Sequence, residues 1–385
     1  MSVNETAEAN GGPISRRSVL QIAGATGVAG IAGCARQSGP SGGDGDGGDG
    51  SSPETVVDMA DREVEVPGTI ERVMGLGPTG LRQVCQMGAA EMVVGVEENE
   101  HGWSREIPYN MANPQFQDLP VIGPQFGGDP ELIAREDPDV IFYRSNREDA
   151  ADLQAKTNIP VFLVEQGDMG PNRNVIYESW RMMGKVLGRQ ARAETLIDYI
   201  ETSITDLNER TKDTPDSQKL ESYAGGVSHR GPQGLNSTKA PFPPLEWVNA
   251  NFAAEEFDLE NSDRDRLKVQ VSREKILEWD PEVIFVDLAN LETVREDVKK
   301  NTEYQDLNAL QNDRVYGYHP YHQYHFNAST TVANSYFIGS VLYPDRFGDV
   351  SPGEKADEVY ETFFGSAVYD RMAERFGAYR KINLV

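Results

Sequence analysis

Apolar residues in this chain gather into short unbroken runs set between longer stretches of mixed character. In the first half the runs are Arg72-Val-Met-Gly-Leu76, Met92-Val-Val-Gly-Val96, Val140-Ile-Phe-Tyr143 and Val161-Phe-Leu-Val164. In the second they are Glu221-Ser-Tyr-Ala224, Val283-Ile-Phe-Val286 and Arg314-Val-Tyr-Gly-Tyr318. A run that is apolar at every position, unlike one that alternates, suits a strand covered on both faces, as in a parallel sheet. One module occurs twice. Glu131-Leu-Ile-Ala-Arg-Glu-Asp-Pro-Asp-Val-Ile-Phe142 and Glu274-Lys-Ile-Leu-Glu-Trp-Asp-Pro-Glu-Val-Ile-Phe285 share seven of twelve positions. In each, a short helix is expected to end at Asp-Pro, because proline bars its predecessor from helical geometry, and a strand follows. Between the halves, Val175 to Thr211 carries a helical pattern with Leu196, Ile197, Ile200, Ile204 and Leu207 on one face. As one helix it would reach about 55 Å at 1.5 Å per residue. The pattern predicts an α/β fold with two lobes, each built on a mainly parallel sheet, joined by one long spanning helix. The lobes are expected at 55–173 and 213–385, with the helix at 174–212.

The first 54 residues read differently. A polar stretch ends in Ser15-Arg-Arg-Ser18, a modest Gly- and Ala-rich apolar run follows, and Ile31-Ala-Gly-Cys34 closes it. Paired arginines, a weak apolar core and small residues before a cysteine resemble a twin-arginine lipoprotein signal over 1–33, with Cys34 as the lipid acceptor. The run is too short to span a bilayer, which needs about 20 apolar residues. Residues 34–54 are dominated by Gly, Asp, Ser and Pro and are expected to form a flexible tether, since they have little apolar surface to bury. The expected location is the extracellular face of the cytoplasmic membrane.

Charge narrows the partners. The chain has 62 acidic and 36 basic residues, a formal net charge of -26. Nucleic-acid binding relies on a basic patch, so that class of partner is excluded. Strong acidity together with the export signal resembles secreted proteins of salt-loving archaea, where charge repulsion is screened over about 3 Å at 1 M salt. Of the two cysteines, lipidation of Cys34 would leave Cys85 without a disulfide partner, as a small core hydrophobe.

Two α/β lobes, a spanning helix, a lipoprotein signal and the repeated helix–Asp-Pro–strand module together resemble the substrate-binding proteins of ABC importers. The resemblance is to the class that takes up ferric siderophores, haem and cobalamin, and it covers 55–385. Val57 to Pro67 is similar to that family's first hairpin, and Glu71-Arg-Val-Met-Gly-Leu-Gly-Pro78 to its first strand and turn. The resemblance implies a monomeric receptor without intrinsic cofactor or enzymatic activity. It would capture an iron chelate between the lobes and hand it to an ABC permease with its ATPase. It also implies that Glu131 and Glu274, equivalent positions in the repeat, dock onto permease arginines. A carboxylate near a helix N-terminus has a local role as well, favoured by the macrodipole.

Candidate ligand contacts follow from topology, since ligands sit beyond the carboxyl ends of parallel strands. These are Gly77 and Thr79 in the first strand-to-helix turn, Arg144, Ser145 and Asn146 after the Val-Ile-Phe strand, and Tyr109 with Asn110. In the second half they are His229, Arg230, Asp287 and Asn290. Gly75-Leu-Gly-Pro-Thr-Gly80, with Glu97 about twenty residues on, also fits a dinucleotide fingerprint, but Pro78 lacks one of the amides that would face a pyrophosphate. Tyr316 to Phe326 interleaves His319, His322 and His325 with Tyr318, Tyr321 and Tyr324. The stretch reads as an aromatic wall stacking on an organic ligand, with Tyr321, His322 and Tyr324 in contact. Alternatively His319, His322 and His325 ligate a metal, since imidazole and phenolate suit transition ions. The corresponding alternatives in function are a receptor for a free metal ion and a surface metalloenzyme.

Overall fold

A computed structural model describes residues 54–227, 231, 233–255 and 269–385, all within one compact unit that begins at Ser52. The first sheet is parallel and three-stranded, in the order Val73–Leu76, Val140–Tyr143, Val161–Leu163. All of these strand residues are buried, which is why the runs carry no polar alternation. The expected strand Met92–Val96 is reduced to single bridges, Val93 to Val73 and Val96 to Val121. A 3-10 turn at Ala90–Met92 takes up its start, and the two bridges reach different neighbours.

The second sheet has five strands in the order Arg380–Lys381, Val315–Tyr318, Val283–Asp287, Glu221–Gly225, Asn251–Phe252. It is parallel except at the Arg380–Lys381 edge. Ahead of both sheets, Thr55–Val57 pairs antiparallel with Glu63–Glu65 as a hairpin.

The repeated module has the same construction twice. Asp129 caps the helix Pro130–Arg135 and Ser272 caps Arg273–Trp279, each accepting from amides of the first turn. Both modules then turn through a left-handed aspartate, Asp137 at φ 46° and Asp280 at φ 44°. The acid after the proline steadies the neighbouring strand. Asp139 accepts from the Glu71 and Arg72 amides at 2.7 and 2.8 Å, and Glu282 from the Glu221 amide at 3.1 Å.

The run expected as one helix is two, Arg173–Leu187 and Gln190–Thr211. Gly188 adopts φ 66° and ends the first by a left-handed cap, which a side chain would strain. The second, about 33 Å long by its rise per residue, is tied at both ends. Arg192 donates to the carbonyls of Gln86 and Thr362, and Arg210 makes a bidentate contact with Asp349 at 2.6 and 2.8 Å. A continuous apolar cluster then runs from Val73 and Phe142 through Trp180 and Leu196 to Phe285 and Tyr318. Among the described residues, no helix is long and apolar enough to cross a membrane.

Candidate functional site

The first strand enters the helix Gly77–Gln86 with no spacer, which is possible because of its glycines. A Cβ on Gly75 would lie 2.3 Å from the Leu81 nitrogen, and one on Gly80 would lie 2.6 Å from the Phe142 carbonyl oxygen. These two positions therefore serve helix–strand packing. Gly77 adopts φ 73°, and its amide donates to Glu97 Oε2 at 3.0 Å. The Gly127 amide donates to Glu97 Oε1 at 2.7 Å. The helix N-terminus that would have to receive a pyrophosphate is thus occupied by the protein's own carboxylate, which argues against the dinucleotide reading. Glu97 is 1% exposed, and burial pushes its carboxyl up to about 7 despite the two amide donors.

Tyr324, from the far side of the sequence, closes over this carboxylate and donates to Glu97 Oε2 at 3.2 Å. Its ring meets Trp103 edge-on at 5.1 Å and Phe126 at 6.2 Å. Trp103 is 50% exposed and Phe126 56%, so this aromatic group presents ring surface to solvent. The loop carrying Tyr324 is held by Arg82, which donates to the carbonyls of Phe326, Tyr324 and Gln323. Tyr324 and His325 both take left-handed backbone, at φ 48° and 63°, a conformation sustained only when surroundings fix it. Behind Arg82 lie the Tyr109 ring, 5.5 Å away, and Glu100. Burial raises the Glu100 carboxyl and lowers the Arg82 guanidinium, and each charge eases the other.

Further along the same stretch, Lys239 is 4% exposed. Its ammonium sits 3.3 Å from His322 Nε2 and 3.7 Å from the centre of the Phe326 ring. Burial pulls it down to about 7, with Asp168 opposing at a distance. The Tyr321 ring meets Phe242 at 5.5 Å, His322 at 5.2 Å and Phe326 at 5.8 Å, and Tyr318 packs on Phe242 at 5.6 Å.

The structure brings some of the expected residues together and sends others elsewhere. Gly77, Tyr321, His322 and Tyr324 belong to the assembly above. Arg144 follows its strand beside Gly77, and its guanidinium pairs with Glu165 at 3.5 Å. Thr79 is buried in the turn, accepting from Gln83. Tyr109 is a core residue and not a ligand contact: it is 1% exposed and donates to Glu100 at 2.6 Å. Asn110 is drawn to the same carboxylate. Asn146 is a helix cap, its side-chain oxygen accepting from the Glu148 and Asp149 amides, and Ser145 donates to Asp149. Asp287 caps the turn at Ala289, and Asn290 donates to the Gly226 carbonyl. His229 and Arg230 lie outside the described residues, as does Cys34.

The three histidines do not converge. His319 is buried against Tyr379 at 4.5 Å with Nε2 on the Gly377 carbonyl, and burial holds it neutral at about 4. His322 instead faces Lys239. Among the described residues, no group of three or more His, Cys, Asp or Glu is placed to hold a metal ion. Glu131 and Glu274 are both exposed, each at the second helical position of its module.

Arg82, Trp103, Phe126 and Lys239 are functional candidates that no sequence motif marks, and Glu97 is marked only as the acid of a fingerprint. Arg82 had a signal, since it is a cation inside an otherwise buried helix pattern. The others look like ordinary polar or surface residues until the fold assembles them.

A model of the periplasmic binding protein family matches residues 76–322. The chain belongs to the periplasmic binding protein family. This binding protein is 22% identical over 331 residues to the molybdate-binding protein MolA of Haemophilus influenzae, covering 80% of this chain and 90% of that one. Among solved structures it resembles a periplasmic solute binding protein of Veillonella parvula, with TM-score 0.64, 18% identity, and 84% and 97% of the two chains covered. MolA bound to molybdate superposes with TM-score 0.62 at 19% identity, covering 82% and 98%. The fold is accordingly the two-lobed α/β architecture of class III binding proteins. The protein is a solute-binding receptor of an ABC transporter and not an enzyme. It works with a permease and an ATPase, and what it binds is a transported ligand rather than an intrinsic cofactor.

Proposed function

We propose that this receptor captures an iron(III)-siderophore or similar metal chelate and delivers it to the permease. The observation that carries the reading is the exposed aromatic group of Trp103, Phe126 and Tyr324, set where the two halves of the chain meet. Flat ring surface suits an organic shell around a metal, which stacks through dispersion and apolar burial. A bare ion needs convergent donors instead, and the dispersal of His319, His322 and His325 supports the chelate over the free-ion alternative.

The remaining parts of the proposal concern place. Residues 15–34 support export by a twin-arginine route, lipidation at Cys34 and a position on the extracellular face of the membrane. The matching exposed positions of Glu131 and Glu274 support their docking onto the permease.

The test is equilibrium binding by tryptophan fluorescence, across ferric siderophores, haem, cobalamin, molybdate and free metal ions. Submicromolar binding of a chelate, weakened at least tenfold in the double variant Trp103→Ala, Phe126→Ala, is the expected result. Tight binding of molybdate or a free ion with no chelate binding would overturn the reading.

A further inference from the structure

We propose that Lys239, together with the hydroxyls of Tyr318 and Tyr321, receives an oxyanion carried by the ligand. The proposal rests on the receptor reading and names the chemistry of one end of its site.

The Lys239 ammonium has no counter-ion among the described residues. This chain has 62 carboxylates, yet none of those described lies within ion-pair distance of it. Its contacts are the face of Phe326 and the ring of His322. Asp168, the acid whose charge acts on Lys239, is engaged elsewhere. Its Oδ1 accepts from the Gly170 and Asn172 amides and its Oδ2 from the Asn172 side chain, all at 2.9 Å. A buried charge without a partner is costly, and an aromatic face offsets only part of that cost.

The second observation is independent of the lysine. Tyr318 and Tyr321 are both 0% exposed, and their hydroxyl oxygens have no hydrogen-bond partner among the described residues. Buried hydroxyls ordinarily find one. Burial also pushes both phenols well above their ordinary range, so they act as O–H donors and not as phenolates. Asp287, which lies near both, uses its carboxylate to cap the turn at Ala289. Lysine and tyrosines share one cluster, because Phe326 touches Lys239, His322 and Tyr321, and Tyr321 in turn packs near Tyr318 at 6.3 Å.

An ammonium gives hydrogen bonds and accepts none, and each neutral phenol has one O–H to give, so the set can present several donors to one acceptor. Its complement is an anionic oxygen. Two sources share that chemistry: a carboxylate or catecholate oxygen of an anionic metal chelate, or an inorganic oxyanion such as molybdate. A cationic ligand is disfavoured by the same set.

The experiment uses the full chain as wild type, Lys239→Met, Lys239→Arg and Tyr321→Phe, each first checked for a native melting transition. Calorimetry at fixed salt measures three probes: ferric citrate as an anionic chelate, a neutral ferric trihydroxamate, and sodium molybdate. Lys239→Met is expected to weaken an anionic probe about 10- to 100-fold, the scale of one charge-assisted hydrogen bond. Lys239→Arg should restore part of the loss, Tyr321→Phe should weaken the same probe about threefold to tenfold, and the neutral chelate should change less than threefold. Should Lys239→Met fail to fold, Lys239→Arg and Tyr321→Phe decide the matter, and two unchanged affinities would refute the proposal. Chelate binding that ignores Lys239 leaves the receptor reading standing and overturns this proposal. Molybdate binding that depends on Lys239, with no chelate bound, upholds this proposal, overturns the chelate reading and assigns the oxyanion to the inorganic source. A wild type that binds neither anionic probe also overturns it.

Discussion

Glu97→Gln isolates the carboxylate that holds the first helix and Tyr324 together. Burial raises this group from 4.5 to about 7. An acid whose folded-state pKa lies above its unfolded one holds its proton more firmly when folded. Stability is therefore unaffected by it below about pH 4.5, falls as pH rises to about 7, and carries a constant penalty above that. The size is about 2.5 units at 1.36 kcal/mol each, or about 3 kcal/mol. Glutamine cannot ionise, so the variant removes that slope. It also puts an –NH2 where the carboxyl, protonated or not, keeps an acceptor oxygen on each side for the Gly77 and Gly127 amides, a loss of about 1–3 kcal/mol at every pH. Urea unfolding at pH 5, 6, 7 and 8, at constant ionic strength, should find the variant less stable than wild type at pH 5. By pH 8 the two should be close or inverted. The difference between them should change by about 2–4 kcal/mol across the range. A change below about 1 kcal/mol would mean that Glu97 titrates near its ordinary value and that the buried bridge does not form.

Two further outcomes follow from named contacts. Arg82→Met keeps the volume of the side chain but removes the cation from Glu100 and the donors from the 323–326 loop. Leaving the buried loop carbonyls without their donor, and Glu100 without a cation nearby, should cost about 3–5 kcal/mol, read by urea unfolding, and a loss under 1 kcal/mol would contradict the role assigned to it. Glu131→Lys with Glu274→Lys should leave ligand affinity unchanged while abolishing stimulation of the reconstituted transporter's ATPase. Full stimulation by the double variant would remove these glutamates from the docking surface.

The parts of the fold that the sequence disclosed are those set by local chemistry. Val140–Tyr143 and Val283–Asp287 are buried on both faces and read as unbroken apolar runs, and the Asp-Pro signal marks the turn before each. The break at Gly188 escaped notice because the amphipathic pattern continues across it, and only the left-handed φ reveals the cap. In the site, the glycine turn was legible because Gly75 and Gly80 answer to backbone proximity. Tyr109 misled for the opposite reason. A tyrosine on a short helix reads the same whether its hydroxyl meets a ligand or, as here, a buried Glu100. Glu97 and Lys239 are the hardest cases. Their burial is produced by segments more than eighty residues distant, Tyr324 over one and His322 beside the other. The spacing of His319, His322 and His325 allowed a common centre as the alternative to an aromatic wall, but the His319 ring packs on Tyr379 and the His322 ring on Phe326, and Tyr324 and His325 turn through left-handed backbone.

The helix Gln190–Thr211, pinned by Arg192 at one end and Arg210 at the other, bears on how ligands compete. A strut fixed at both ends leaves the empty receptor little conformational freedom to surrender when it loads, so the ordering cost of binding is small and nearly the same for every ligand. Arrival rates of similar chelates should then lie close together, and preference among them should appear in how slowly each departs. In a mixture, such a receptor sorts its cargo by residence time.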